Sequence, residues 1–310
     1  MRQARFENER RPTWMALDRC LEGKDGNLPD LYRQVARDLA LARERGYSQN
    51  LLERLNSLVL AGHERLYRKR KAPGAGLGRF LLVEYPAMVR ARWQRFLVCV
   101  LAFFGPFALL ALLGPSHPDW IFAALSDGMM ANLDSMYAEP SGIGKRSAEL
   151  GFFAFAHYIK NNVGIDFMVF AGGMLAAVGS MFFMVYNGVV IGAAFGYVLR
   201  AGYHDQFLPF VAGHGAFELT AICLSGLAGM ELGFSWLHPG EHTRRASLVA
   251  GGRRALRLLA GAGVLTSMAA VIEGFWSPGP MSPTVKYAVG GTLWFLTILW
   301  LAVGGLRRAD

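Results

Sequence analysis

FLPFVAGHGAFELTAICLSGLAGMELGF, residues 207–234, decides what kind of protein this is. About 20 largely apolar residues are enough for a helix to cross a bilayer, and this stretch exceeds that. It also carries His214 and Glu218, four residues apart and therefore on one face of a helix. Charged groups at bilayer depth are costly and ask for a partner or an aqueous path. The stretch thus predicts both a membrane span and a polar feature within it.

Further apolar stretches accompany it. FLVCVLAFFGPFALLALLG (96–114), FMVFAGGMLAAVGSMFFMVY (167–186), VVIGAAFGYVLRAGY (189–203), LRLLAGAGVLTSMAAVIEGFW (256–276) and YAVGGTLWFLTILWLAVGGL (287–306) bring the expected spans to six. The third is the shortest and follows Asn187-Gly188, a turn signal. The expected fold is an all-α polytopic membrane helix bundle of about six spans with an N-terminal cytoplasmic helical domain.

Charge sets the orientation. The formal net charge is +9, and all of it falls within residues 1–95. Arg90, Arg92 and Arg95 precede the first span; Arg244, Arg245, Arg253, Arg254 and Arg257 surround the start of the fifth; Arg307 and Arg308 follow the sixth. The 114–160 loop is instead richer in acids than bases. Cytoplasmic loops carry the Lys/Arg excess, so six spans with both termini cytoplasmic place every basic cluster inside. Omitting the 189–203 crossing would put the basic 236–255 loop outside. The expected location is the bacterial inner membrane, and the charged start MRQARFENERR predicts no cleavable signal.

The chain divides into a basic cytoplasmic helical domain (1–72), a hinge and interfacial amphipathic elbow (73–95), and a transmembrane domain (96–310) with an extracytoplasmic amphipathic segment at 114–160. In the first, Leu28, Leu31, Val35, Leu39 and Ala42 recur at helical spacing, and a second such helix covers 49–70. The basic surface suits anionic lipid rather than nucleic acid. In the outer segment, residues 119–137 carry Trp120, Ile121, Leu125, Met129 and Leu133 on one stripe of an amphipathic helix.

Chemistry-bearing motifs are few. GxSxG, HExxH and GxxxxGK[ST] do not occur, and Cys20, Cys99 and Cys223 are widely spaced. No catalytic residues, metal or cofactor are therefore expected, and the chain is expected not to be an enzyme. The polar residues at membrane depth are Asn161, Asn162, Asn187, His214 and Glu218, with His157, Asp166, Glu231 and Glu273 as additional candidates; Ser225 continues the His214/Glu218 face. They admit three readings: a packing lock, a proton or ion path, or a metal site built from His157, His214 and Glu218. Gly188, Gly192, Gly196, Gly215, Gly229 and Gly233 are expected to let helices approach closely, within one chain or in a homo-oligomer.

KNNVGIDFMVFAGGMLAAVGSMFFMVYNGVVIGAAFG (160–196) and GHGAFELTAICLSGLAGMELG (213–233) resemble the stage II sporulation protein M family of integral membrane proteins, as do LYRQVARDLALAR and LNSLVLAGHERLYR in the longer members' cytoplasmic arm. The resemblance marks Asn161, Asn162, Asn187, Gly188, His214, Gly215 and Glu218. It implies a non-enzymatic membrane scaffold whose envelope partners include peptidoglycan-remodelling enzymes. This chain is similar to the longer, non-sporulating type, which implies MoxR-type AAA+ ATPases and von Willebrand A-domain proteins as further partners. An ion- or proton-coupled transporter or channel using the His/Glu/Asn cluster is the alternative.

Overall fold

The computed structural model describes residues 3–22, 26–67, 75–138, 148–240 and 243–306, and every regular element among them is a helix. Arg307 and Arg308, the outer segment 139–147 and residues 68–74, which hold the end of the expected 49–70 helix and the start of the hinge, lie outside the described residues. The chain forms two compact units, Met1–Gly76 and Leu77–Asp310.

The first unit holds α1 (Gln3–Leu21), α2 (Leu28–Glu44) and α3 (Gln49–Tyr67). Asn27 caps α2, its side chain accepting from the Asp30 amide. Helix α1, which sequence reasoning did not identify, brings Phe6, Trp14 and Leu17 against Val35, Leu39, Leu51 and Leu55. Their spacing is helical, but charged neighbours dilute the stripe. Trp14 is fully buried, and its Nε1 donates to Asp38 Oδ2 at 2.9 Å. Truncating a buried Trp to Ala removes about 3–5 kcal/mol. A unit with so small a core does not survive that, so Trp14→Ala is expected to abolish protease protection across residues 3–67 of the full-length protein.

The boundary between the units falls within α4 (Ala75–Arg79), and the second unit continues with a wide turn at Phe80–Glu84 and α5 (Tyr85–Arg90). This elbow is not merely laid on a surface. Tyr85 is buried, stacks on Trp300 with centroids 5.6 Å apart, and donates its hydroxyl to the Leu258 carbonyl at 2.9 Å. Arg90 donates to the carbonyls of Leu301 and Gly304, satisfying acceptors that a helix end leaves open.

Six long helices follow: α6 (Trp93–Leu113), α9 (Ala148–Ala171), α10 (Val178–Ala201), α12 (Gly215–Leu237), α13 (Arg244–Val271) and α14 (Pro283–Val303). Five of them are long and apolar enough to cross a membrane. The sixth, α9, has 24 residues but carries His157, Lys160, Asn161, Asn162 and Asp166. Contacts at their ends order them. Gly151 of α9 meets Gly274 just beyond α13, while Gly173, after α9, meets Gly229 near the far end of α12. Ser247 near the start of α13 donates to the Ser235 carbonyl near the end of α12. Successive long helices therefore run in opposite directions, with α12 buried at the centre.

The helix boundaries correct three sequence expectations. The expected spans 167–186 and 189–203 are not divided at Asn187-Gly188. Both residues lie inside α10, and the chain instead reverses at 172–177, where Gly172–Met174 forms a tight turn and Ala176 and Ala177 adopt positive φ of 52° and 67°. Asn187 needs no turn because its amide donates to the Phe183 carbonyl four residues back, at 2.8 Å. Gly188, Gly192 and Gly196 face carbonyls of Phe103, Phe107 and Leu110 on α6, contacts that a side chain would block. The stretch 207–234 is likewise two helices, α11 (His204–Ala212) and α12, broken at Gly213–His214. The amphipathic stripe at 119–137 is also broken, into α7 (Pro118–Ala124) and α8 (Asp127–Tyr137), with Ser126 capping the second. Both fold back onto α10: Ile121 packs beside Gly114 and Gly196, and Tyr197 donates to Asp134 at 2.9 Å.

Candidate functional site

The break before α12 creates the site. His214 is the last residue before the helix, and its carbonyl accepts from the Glu218 amide, so the four-residue spacing places both side chains together. At the end of α13 the backbone widens into a π-type turn at Ile272–Trp276, which brings Glu273 to the same place. His214 Nε2 lies 3.7 Å from Glu218 Oε2 and 4.0 Å from Glu273 Oε1. Its other ring nitrogen, Nδ1, faces Ser277 Oγ at 3.2 Å, and Phe210 packs edge-on against the ring. The Ser277 carbonyl accepts from Lys286 Nζ at 2.7 Å.

His214, Glu218 and Glu273 open onto a cavity of about 670 Å³ lined by residues of α6, α8, α9, α10, α11, α12 and α14. Asn161 and Asn187 also line it, while Phe104, Phe107, Ile191 and Trp294 make much of its wall apolar. Along α12 the cavity reaches from His214 only to Leu219. The residues beyond, from Thr220 to Glu231, are buried in helix contacts.

The nine polar residues do not form one cluster. Asn161, Asn187, His214, Glu218 and Glu273 share the cavity, and Asn162 adjoins it by accepting from the Asn161 amide at 2.9 Å. His157 stands on an exposed face of α9, so it is not a member of the expected His157/His214/Glu218 set. Asp166 belongs to a separate buried network at the middle of the bundle, accepting from Ser225 Oγ at 2.9 Å and from Thr266 Oγ1. The Ser225 side chain therefore engages Asp166.

Glu231 forms a third site at the opposite end. It accepts from Arg92 Nε at 2.9 Å, Arg95 at 2.8 Å and Arg254 at 2.7 Å, beside a second cavity of about 580 Å³. These arginines stood out in the sequence as flanking charge and Glu231 as a polar candidate, but their convergence did not. A lone acid near the end of an apolar helix was the available signal, because burial demands counter-charges. Of the expected packing glycines, Gly229 and Gly233 meet the 172–177 turn, whereas Gly215 has no atom within 4 Å of where a side chain would start.

A family model described as stage II sporulation protein M matches residues 96–278, and a domain of unknown function (DUF8413) matches residues 4–68. No curated protein and no solved structure matches the chain. The first match runs from α6 through Ser277 and so contains all three of His214, Glu218 and Glu273.

Proposed function

The chain belongs to the stage II sporulation protein M family of membrane proteins, and from that premise we propose that it is a non-enzymatic inner-membrane scaffold with two docking faces. Both termini lie in the cytoplasm. The orientation is supported by the arginines around Glu231, which mark one end of the bundle as the basic, inner end. At the other end α7 and α8 pack onto α10 as a platform, with Trp120, Phe122 and Met129 left exposed on it. That platform is the observation that carries the reading, because it offers envelope partners, peptidoglycan-remodelling enzymes among them, a folded surface fixed to the membrane unit. The N-terminal unit, with its own core, takes cytoplasmic partners such as MoxR-type ATPases and von Willebrand A-domain proteins. Removing residues 3–67 and replacing residues 118–137 by a polar linker are expected to deplete different partners from affinity-purified complexes. Identical partner sets in both variants would sink the reading.

The cavity favours one second reading, coupled transport. Cavities that carry ionisable side chains occur at both ends of α12, with the Asp166 network between them. Proteoliposomes loaded with a pH-sensitive dye are expected to show no proton flux above protein-free vesicles. A flux that disappears in Glu218→Gln would replace the scaffold with a transporter.

A further inference from the structure

We propose that His214, Glu218 and Glu273 bind a divalent transition-metal ion at the wall of the cavity. The inference goes beyond the scaffold reading and does not rest on it.

One ligand atom from each of the three side chains lies within 4.8 Å of the others. The imidazole–carboxylate separations, 3.7 and 4.0 Å, exceed hydrogen-bonding distance. They suit atoms sharing one ion: with metal–ligand bonds of about 2.0–2.2 Å, neighbouring ligand atoms stand about 3–4 Å apart. The ligand atoms of the two carboxylates lie within 4.8 Å of each other, so an ion would draw the two side chains together.

His214 is 4% exposed, with Nδ1 occupied by the Ser277 hydroxyl, so Nε2 is the nitrogen aimed at the carboxylates. A metal-bound histidine characteristically uses its second nitrogen in this way, to fix the ring and direct the first. The Ser277 backbone is in turn tied to Lys286. The π-type turn adds to this. Such turns are rare and gather at functional sites, and this one carries Glu273 to the histidine.

Two carboxylates and an imidazole share a largely desolvated spot, where their ligand atoms face one another. A divalent ion offsets both carboxylates at once. Mixed imidazole and carboxylate donors suit zinc, manganese or iron better than magnesium or calcium, which favour all-oxygen sites. Three protein ligands leave a coordination position for water or an oxyanion, and the free side faces the cavity.

The test uses the full-length protein in lipid nanodiscs, prepared without chelator. Elemental analysis is expected to find about one zinc, manganese or iron ion per chain, as for a single three-ligand site. His214→Ala and Glu218→Gln are expected to lose it, and His157→Ala, on the outer face of α9, to keep it. After chelator treatment, Co²⁺ should restore visible d–d absorption in the wild type. Ser277→Ala should weaken Co²⁺ binding about 10–100-fold by freeing the ring. Should the His214 or Glu218 variant fail to fold, the wild type still decides. Chelation must lower its thermal midpoint and zinc must restore it. Wild-type protein that carries no metal and gives no Co²⁺ spectrum would overturn the site, as would folded His214→Ala that keeps a full complement.

Discussion

Replacing Glu231 by glutamine is expected to destabilise the membrane unit by about 3 kcal/mol, more than any other single change to its polar residues. Three guanidinium groups converge on this carboxylate, whose side chain is only 5% exposed. The substitution keeps the shape and one acceptor oxygen but removes the negative charge that the three arginines share. Breaking a buried ion pair by deleting one partner typically costs 3–5 kcal/mol, because the remaining charges stay where water cannot fully reach them. The lower end applies here, since Arg95 and Arg254 are each more than two-fifths exposed and keep part of their hydration. Arg92, at 18%, does not. The check is the thermal midpoint of the purified protein in detergent, which should fall by about 6–12 °C at the 2–4 °C per kcal/mol usual for units of this size. Arg92→Leu should also destabilise. The Glu231→Leu/Arg92→Leu double variant should lose less than the sum of its single variants, because residues of one network are not additive. A midpoint within 1–2 °C of wild type for Glu231→Gln, on the order of half a kcal/mol, would show that water already screens the cluster.

The same cluster shows why the sequence was legible in some places and closed in others. Apolar length and basic flanks are properties of contiguous stretches, so the all-α membrane bundle could be read directly. The pairing of His214 with Glu218 was equally accessible, because four residues along a helix is a fixed geometry. Glu273 is different. Its place beside His214 depends on α12 and α13 running antiparallel and on the wide turn that ends α13. No local pattern encodes either. The convergence of Arg92, Arg95 and Arg254 on Glu231 is likewise a product of assembly. Asn187-Gly188 was misread because its turn propensity is genuine in water. In the bundle the asparagine amide bonds back to its own helix and the glycine serves an interhelical contact. Helix α1 escaped notice for the opposite reason: Phe6, Trp14 and Leu17 are a thin apolar stripe among charges, sufficient only once α2 and α3 complete the core.

The reversal at 172–177 gives the second large effect. Gly173→Ala is expected to destabilise the membrane unit by at least about 1–3 kcal/mol, the usual cost of overpacking. A methyl group there would overlap the carbonyl of Gly229, and the next atoms it meets are also backbone. Backbone cannot rotate aside as a flexible side chain does, so α12 and the turn would have to separate. The contact is reinforced one turn on, where Gly233 faces the backbone of Gly173 and Ala177, and laterally, where Ser180 Oγ donates to the Val169 carbonyl at 2.7 Å beside Gly229. Separation would therefore strain the joint between α9, α10 and α12 together. The informative control is Gly263→Ala, within α13, where nothing lies within 4 Å of the added methyl. There the substitution only exchanges a poor helix former for a good one and is expected to stabilise by up to about 1 kcal/mol. The same chemical change should thus raise the thermal midpoint at one glycine and lower it at the other. Equal shifts at the two positions would mean that glycine conformational entropy, not the close approach of backbones, dominates the packing of this bundle. The small residues at 172–177 would then be a loop composition rather than the joint around which three helices turn.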